Sequence, residues 1–132
     1  MSTHIHTVRA TFWGVLAALA LVACGKSAQR VCEESCDQDF ECKLNGISSD
    51  NALELCIANC VPESVEIEQR LEDGRLTEEC YDAQIDYENC VNDLNCSDLR
   101  RGLLGDCEDL DVMRSEKCAP GEWRGFGART FR

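Results

Sequence analysis

Histidine is nearly absent. The chain has two, His4 and His6, both within its first six residues. Beyond them there is no imidazole, which excludes histidine general bases, catalytic triads and histidine-ligated metals. Cations are few as well: 13 Lys and Arg stand against 25 Asp and Glu, a formal net charge of −12. Nucleic acid is therefore not an expected partner, because phosphate contacts need clustered Lys and Arg. Aromatic residues are scarce, with only Phe40, Tyr81 and Tyr87 between Val31 and Cys118. No alternating β-branched run occurs, which removes the strand signal. No Cys-x-x-Cys pair occurs either, which removes the usual redox motif. A chain of 132 residues accommodates one small domain or two very small ones, and no large enzyme core.

The N-terminal segment carries an address. Met1 to Arg9 is a short polar start with one arginine, and Ala10 to Ala23 reads ATFWGVLAALALVA without a charge. As a helix this run spans about 21 Å, short of the roughly 30 Å hydrocarbon core. A charged start, a short apolar run and small residues at its end are the parts of a signal peptide, expected over residues 1–23. Leu21-Val22-Ala23-Cys24 resembles the lipobox of bacterial lipoproteins. The resemblance covers residues 1–25. It implies that Cys24 becomes the first mature residue, with a diacylglyceryl group on its sulfur and an acyl chain on its amine. Membrane lipid is then a partner through acylated Cys24, each buried CH₂ contributing about 0.8 kcal/mol. Gly25 follows, where an aspartate favours inner-membrane retention in enteric bacteria; by that analogy the outer membrane is expected.

What the chain has in abundance is cysteine, 11 in all. Setting Cys24 aside leaves ten, an even number, as complete disulfide pairing in an exported chain requires. Metal is the weaker reading, because histidine is missing and the spacings are wider than those of zinc knuckles; no metal site and no cofactor is expected. Cys32-x₃-Cys36 and Cys56-x₃-Cys60 each set two thiols one helical turn apart on one face. Two such helices, antiparallel, oppose Cys36 to Cys56 and Cys32 to Cys60. Cys80-x₉-Cys90 and Cys107-x₁₀-Cys118 have matched axial lengths, about 15 and 16.5 Å, which suggests Cys90–Cys107 and Cys80–Cys118. This second arrangement resembles, in geometry, the twin Cx₉C hairpins of the mitochondrial coiled-coil-helix family, with one extra residue in the second pair.

Two cysteines remain. Cys36-Asp-Gln-Asp-Phe-Glu-Cys42 parallels Cys90-Val-Asn-Asp-Leu-Asn-Cys96 in spacing, in an amide followed by Asp, and in a large apolar residue next. The halves, about 31–74 and 75–118, hold five cysteines each, hinting at duplication. Five is odd, so full pairing needs a bridge between halves, and Cys42–Cys96 is the natural one.

The expected fold is all-α: small disulfide-stapled helical hairpins in two five-cysteine halves. Residues 24–30 form a lipidated tether and residues 31–118 the disulfide-rich helical domain. Helices are expected over about Val31–Leu44, after Ser49-Asp50-Asn51 through Cys60, and from Pro62 to Gly74. A longer one runs from Thr77 to about Asn95, then a short segment capped by Ser97-Asp98, then Asp106–Lys117. Pro62 is expected to interrupt or kink its helix. Residues 31–118 carry 24 acids and 7 bases, a net of −17. Residues 119–132, with Trp123, Phe126 and Phe131 among Arg124, Arg129 and Arg132, read as a flexible basic and aromatic tail.

These features favour a lipid-anchored, non-catalytic binding or structural module of the cell envelope, partnered by an envelope protein or a surface polymer. Two alternatives compete with it. One is an envelope enzyme, either a thiol–disulfide exchanger or a hydrolase using carboxylate pairs such as Glu78/Asp82 or Asp82/Asp86; an acidic helix produces such i,i+4 pairs without catalysis. The other is a metal-buffering surface protein.

Overall fold

A computed structural model of the chain describes residues 27–123. The expected signal peptide, Cys24, residues 25–26 of the expected tether and tail residues 124–132 lie outside the described residues; the rest of that tether is not a linker, because α1 begins at Ala28 with Ser27 as its cap. Five α-helices and one 3₁₀ turn, with no strand among the described residues, make the protein all-helical: α1 Ala28–Cys42, α2 Asp50–Glu72, α3 Glu78–Asn92, α4 Cys96–Arg101, a 3₁₀ turn at Gly105–Cys107, and α5 Glu108–Lys117.

Local chemistry sets most of these ends. Ser27, Ser49, Thr77 and Asn95 are N-caps whose side-chain oxygens accept from the backbone N–H three residues on, satisfying donors that the helix cannot. Glu78 and Glu79 add negative charge to the first turn of α3, where the helix dipole favours it. Lys43 closes α1 in the left-handed conformation at φ 53°, and Gly102 closes α4 at φ 66°, a conformation that costs glycine little.

α2 departs from expectation. Instead of two helices meeting at Pro62, one helix of 23 residues runs through it. Proline inside a helix removes one hydrogen bond and crowds the preceding turn, at roughly 3 kcal/mol. Two features offset this. The bridges at Cys56 and Cys60 clamp the two turns before Pro62 to α1. The Ala58 carbonyl, which Pro62 leaves without a helical donor, belongs to an exposed stretch of the helix where water meets it. α4 begins at Cys96 with Asn95 as its cap, two residues before Ser97.

α1 packs along α2, α3 along α5, and α1 against α3. Two apolar clusters result. One joins Ala28, Val31, Cys32 and Cys36 to Cys60, Ile67, Leu76, Cys80 and Ile85. The other joins Cys42 to Tyr87, Val91, Leu99 and Cys107. Both draw on both five-cysteine halves, so the hairpins share their core. Sulfur supplies much of it: Cys42, Cys60, Cys80 and Cys107 are all at or below 1% exposure, filling positions where aromatic residues are lacking.

Residues 119–123, the first part of the expected tail, belong to this body. Trp123 packs on the first cluster and lies 6.5 Å from Tyr81, ring to ring. Buried Arg70 of α2 donates from Nη2 to the carbonyls of Gly121 and Glu122. Glu122 accepts from Thr77 N–H and Oγ at 2.8 Å each, and from Ala119 N–H at 2.7 Å. The Pro-Gly turn thus returns the chain onto the start of α3.

Candidate functional site

The ten cysteines beyond Cys24 stand in five bonded pairs. Cys32–Cys60 and Cys36–Cys56 staple α1 to α2, with Cα atoms 5.6 and 5.9 Å apart. Cys80–Cys118 and Cys90–Cys107 tie α3 to the two ends of α5, at 4.7 and 5.8 Å. Cys42–Cys96 crosses between the halves, from the end of α1 to the start of α4, at 5.0 Å. All five separations suit a disulfide. The structure therefore brings together the four pairs that the spacing singles out and the Cys42–Cys96 pair that parity leaves. An ideal helix places residues 80 and 90 about 80° apart, an awkward match for a single straight partner. α5 resolves this because Cys107 ends a 3₁₀ turn before it and Cys118 caps its C-terminus.

Within the first hairpin the two staples nearly touch: Cys36 Sγ lies 3.8 Å from Cys60 Sγ. The sulfurs of Cys32, Cys36 and Cys60 all lie within 4.8 Å of one another and are buried. As disulfides they offer no thiolate to a metal ion.

The repeated signature occupies the seam between halves. Gln38 Nε2 lies at the C-terminal end of α3 and donates to the carbonyls of Val91, Asn92 and Leu94, at 3.1, 2.7 and 2.8 Å. Asn92, its counterpart, donates from Nδ2 to Val31 O of α1 at 3.2 Å and accepts from Ser35 Oγ at 2.9 Å. The amide of each signature thus satisfies backbone or side-chain groups of the opposite half, and Cys42–Cys96 joins their ends. The matching amides stand out in the sequence; their use in the seam is set by how the two halves pack.

Polar groups also hold α3 to α5. Arg114 lies 3.9 Å above the Tyr87 ring, pairs with Asp111 at 2.6 Å and donates to Gln84 Oε1 at 3.4 Å. Gln84 in turn donates to the buried carboxylate of Glu88 at 2.9 Å. Glu78/Asp82 and Asp82/Asp86, the carboxylate pairs considered for hydrolysis, lie on the exposed side of α3.

Three groups titrate away from their ordinary values. Backbone N–H bonds from Ala119 and Thr77, with the Thr77 hydroxyl, hold Glu122 below the usual carboxylate range. Burial, then neighbouring Glu66, pushes Glu63 up. Burial is also the main influence raising the Tyr81 phenol; Glu68 and Asp82 add to it, against a backbone hydrogen bond from Ala28.

Among the described residues no helix is long and apolar enough to cross a membrane. The fold and its bridges define an all-helical, five-disulfide double hairpin with an acidic surface. No protein-family model, no curated protein and no solved structure matches the chain.

Proposed function

We propose that the chain is a lipid-anchored module of a bacterial cell envelope, held by acylated Cys24, that binds or braces another envelope component without catalysing a reaction. One observation carries this reading: the division of the cysteines. Ten stand in five bonded pairs, and the eleventh, Cys24, closes the LVAC motif at the end of the apolar run. Complete bridging suits an oxidising compartment, and several acyl chains give stable attachment. The outer membrane is the expected destination, on the strength of Gly25.

Metabolic labelling with a fatty acid tests the anchor. The wild-type chain is expected to take up label, lose residues 1–23 and partition into detergent. Cys24→Ser is expected to remain unlabelled and either unprocessed or soluble. A Cys24→Ser protein that is processed and still membrane-bound contradicts the reading.

Thiol–disulfide exchange is the second reading, favoured by the 3.8 Å approach of Cys36 and Cys60 sulfurs. A thiol count on purified protein separates the two: the structural module has none among residues 27–123, whereas an exchanger purifies with reducible, partly free thiols.

A further inference from the structure

α2 is apolar on two opposite sides. Its inner side carries Cys56, Cys60 and Ile67 against the core. At 100° per residue, Leu55, Ala58, Val61, Pro62 and Val65 fall on a stripe about 180° away. Leu55 is 62% exposed, Val61 49% and Val65 47%, and Ala58 and Pro62 are exposed as well. A surface helix normally buries one stripe and presents charge opposite; this one presents about 15 Å of apolar side chains to solvent. Scattered exposed aliphatics need no explanation, but a contiguous set on one helix face is the mark of an interaction surface.

Charge around the stripe selects the occupant. Glu54 closes the N-terminal end of the stripe, in line with Val61 and Val65, and Glu66 and Glu68 flank its C-terminal end on opposite sides; all three are exposed, and the one cation of α2, Arg70, is buried under the 121–122 carbonyls. A second copy of the chain is a poor match: antiparallel pairing centred near residue 60 sets Glu54 against Glu66, and parallel pairing sets each acid on itself. An anionic lipid surface repels the same carboxylates.

We propose that the outer face of α2 docks a cationic amphipathic helix of a partner protein, whose apolar ridge lies on Leu55, Val61 and Val65 while its Lys or Arg residues meet Glu54, Glu66 and Glu68. This deepens the binding half of the proposed function and is independent of the lipid anchor. Helix-on-helix docking of this kind reads anchors at i, i+3, i+4 and i+7, and the flanking charge sets specificity and on-rate.

The probe is a labelled synthetic peptide of leucine and lysine, leucine at helical spacing, read by fluorescence anisotropy on the full oxidised chain. A control peptide replaces leucine with serine. The leucine peptide is expected to bind. L55S/V61S/V65S should bind it about tenfold or more weakly, and E54Q/E66Q/E68Q should lose most of the salt dependence. Both variants change exposed side chains, so helical circular dichroism and Tm should match wild type, which keeps loss of binding separate from loss of fold. Equal binding by L55S/V61S/V65S and wild type overturns the proposal, as does equal binding of the serine peptide. Three outcomes reassign the face: self-association of the chain abolished by L55S/V61S/V65S, adsorption to neutral phosphatidylcholine vesicles abolished by it, or peptide binding about tenfold tighter after truncation at Trp123. They point to a second copy, the bilayer and the chain's own tail, and each overturns the partner-helix proposal. Failure here leaves fatty-acid labelling at Cys24 unaffected.

Discussion

Replacing Cys42 with Ala and Cys96 with Ser removes the covalent link between the five-cysteine halves and leaves the other four bridges in place. In the chain-entropy description, the size of the loop that a bridge closes sets its contribution, and these residues are 54 apart. The neighbouring bridges shorten that path little, so the loss is about 4 kcal/mol. The outer staple of the first hairpin is a useful contrast. Cys32–Cys60 spans 28 residues, but Cys36–Cys56 already closes most of them. Its effective loop is about nine residues, worth about 2.5 kcal/mol. Alanine is the choice at position 42 because that site is buried, where an unpaired hydroxyl adds its own cost. For a domain of this size about 4 kcal/mol corresponds to a fall in Tm of roughly 20 °C. Thermal and guanidinium unfolding without reductant, followed by circular dichroism, measures both variants. The expected order is wild type, then Cys32→Ala/Cys60→Ala, then Cys42→Ala/Cys96→Ser as the least stable. A loss below about 1 kcal/mol for the last, or the reverse order, refutes the reasoning that this bridge closes the one large loop.

Other expectations follow from the seam and from the docked C-terminal segment. Gln38→Ala removes the side-chain amide shared by the Val91 and Asn92 carbonyls of α3 and the Leu94 carbonyl just beyond it and should cost about 1–3 kcal/mol in denaturant unfolding, more than Gln29→Ala on the exposed side of α1. Pro62→Ala restores a helical N–H at an exposed position and should stabilise by about 2 kcal/mol, the helix penalty less the gain in unfolded-chain freedom. Glu122 has its pKa lowered by the Ala119 and Thr77 donors, so its contribution is present above the unfolded-state carboxylate pKa and is lost as pH falls through the lower folded value. Trp123 fluorescence should therefore report release of residues 119–123 in acid. Glu122→Gln should already show the released spectrum at neutral pH; an unchanged spectrum there contradicts the assigned role.

The pairing was readable because cysteine spacing is a geometric statement. One helical turn in Cys32-x₃-Cys36 and again in Cys56-x₃-Cys60 leaves antiparallel helices little choice, and odd parity points to Cys42 and Cys96. Other features depend on contacts that no local pattern encodes. Pro62 reads as a break because proline lacks a donor; it is tolerated because two bridges hold the preceding turns. Ala119-Pro120-Gly121 reads as the start of a loose tail. It folds back because Arg70 and Thr77 present donors to it, residues separated from it by more than 40 positions. Gln38 and Asn92 were visible as a match, but an exposed-looking amide in an acidic helix gives no sign that it will cap the opposite half. The outer stripe of α2 lay in plain view as Leu55, Val61 and Val65, yet which of two apolar faces meets the core is decided only when α1 docks.

Non-reducing peptide mapping of the protein extracted from membranes tests the division of the eleven cysteines most directly. Digestion with trypsin, a Glu-specific protease and an Asn-specific endopeptidase, which cuts after Asn59 and Asn95 and so separates Cys56 from Cys60 and Cys90 from Cys96, should yield linked peptides for Cys32–Cys60, Cys36–Cys56, Cys42–Cys96, Cys80–Cys118 and Cys90–Cys107. It should also yield an N-terminal peptide beginning at Cys24 and carrying acyl mass. Peptides joining Cys32 to Cys36 or Cys56 to Cys60, a free thiol at Cys42 or Cys96, or Cys24 unmodified and still attached to Ala23 contradict the account.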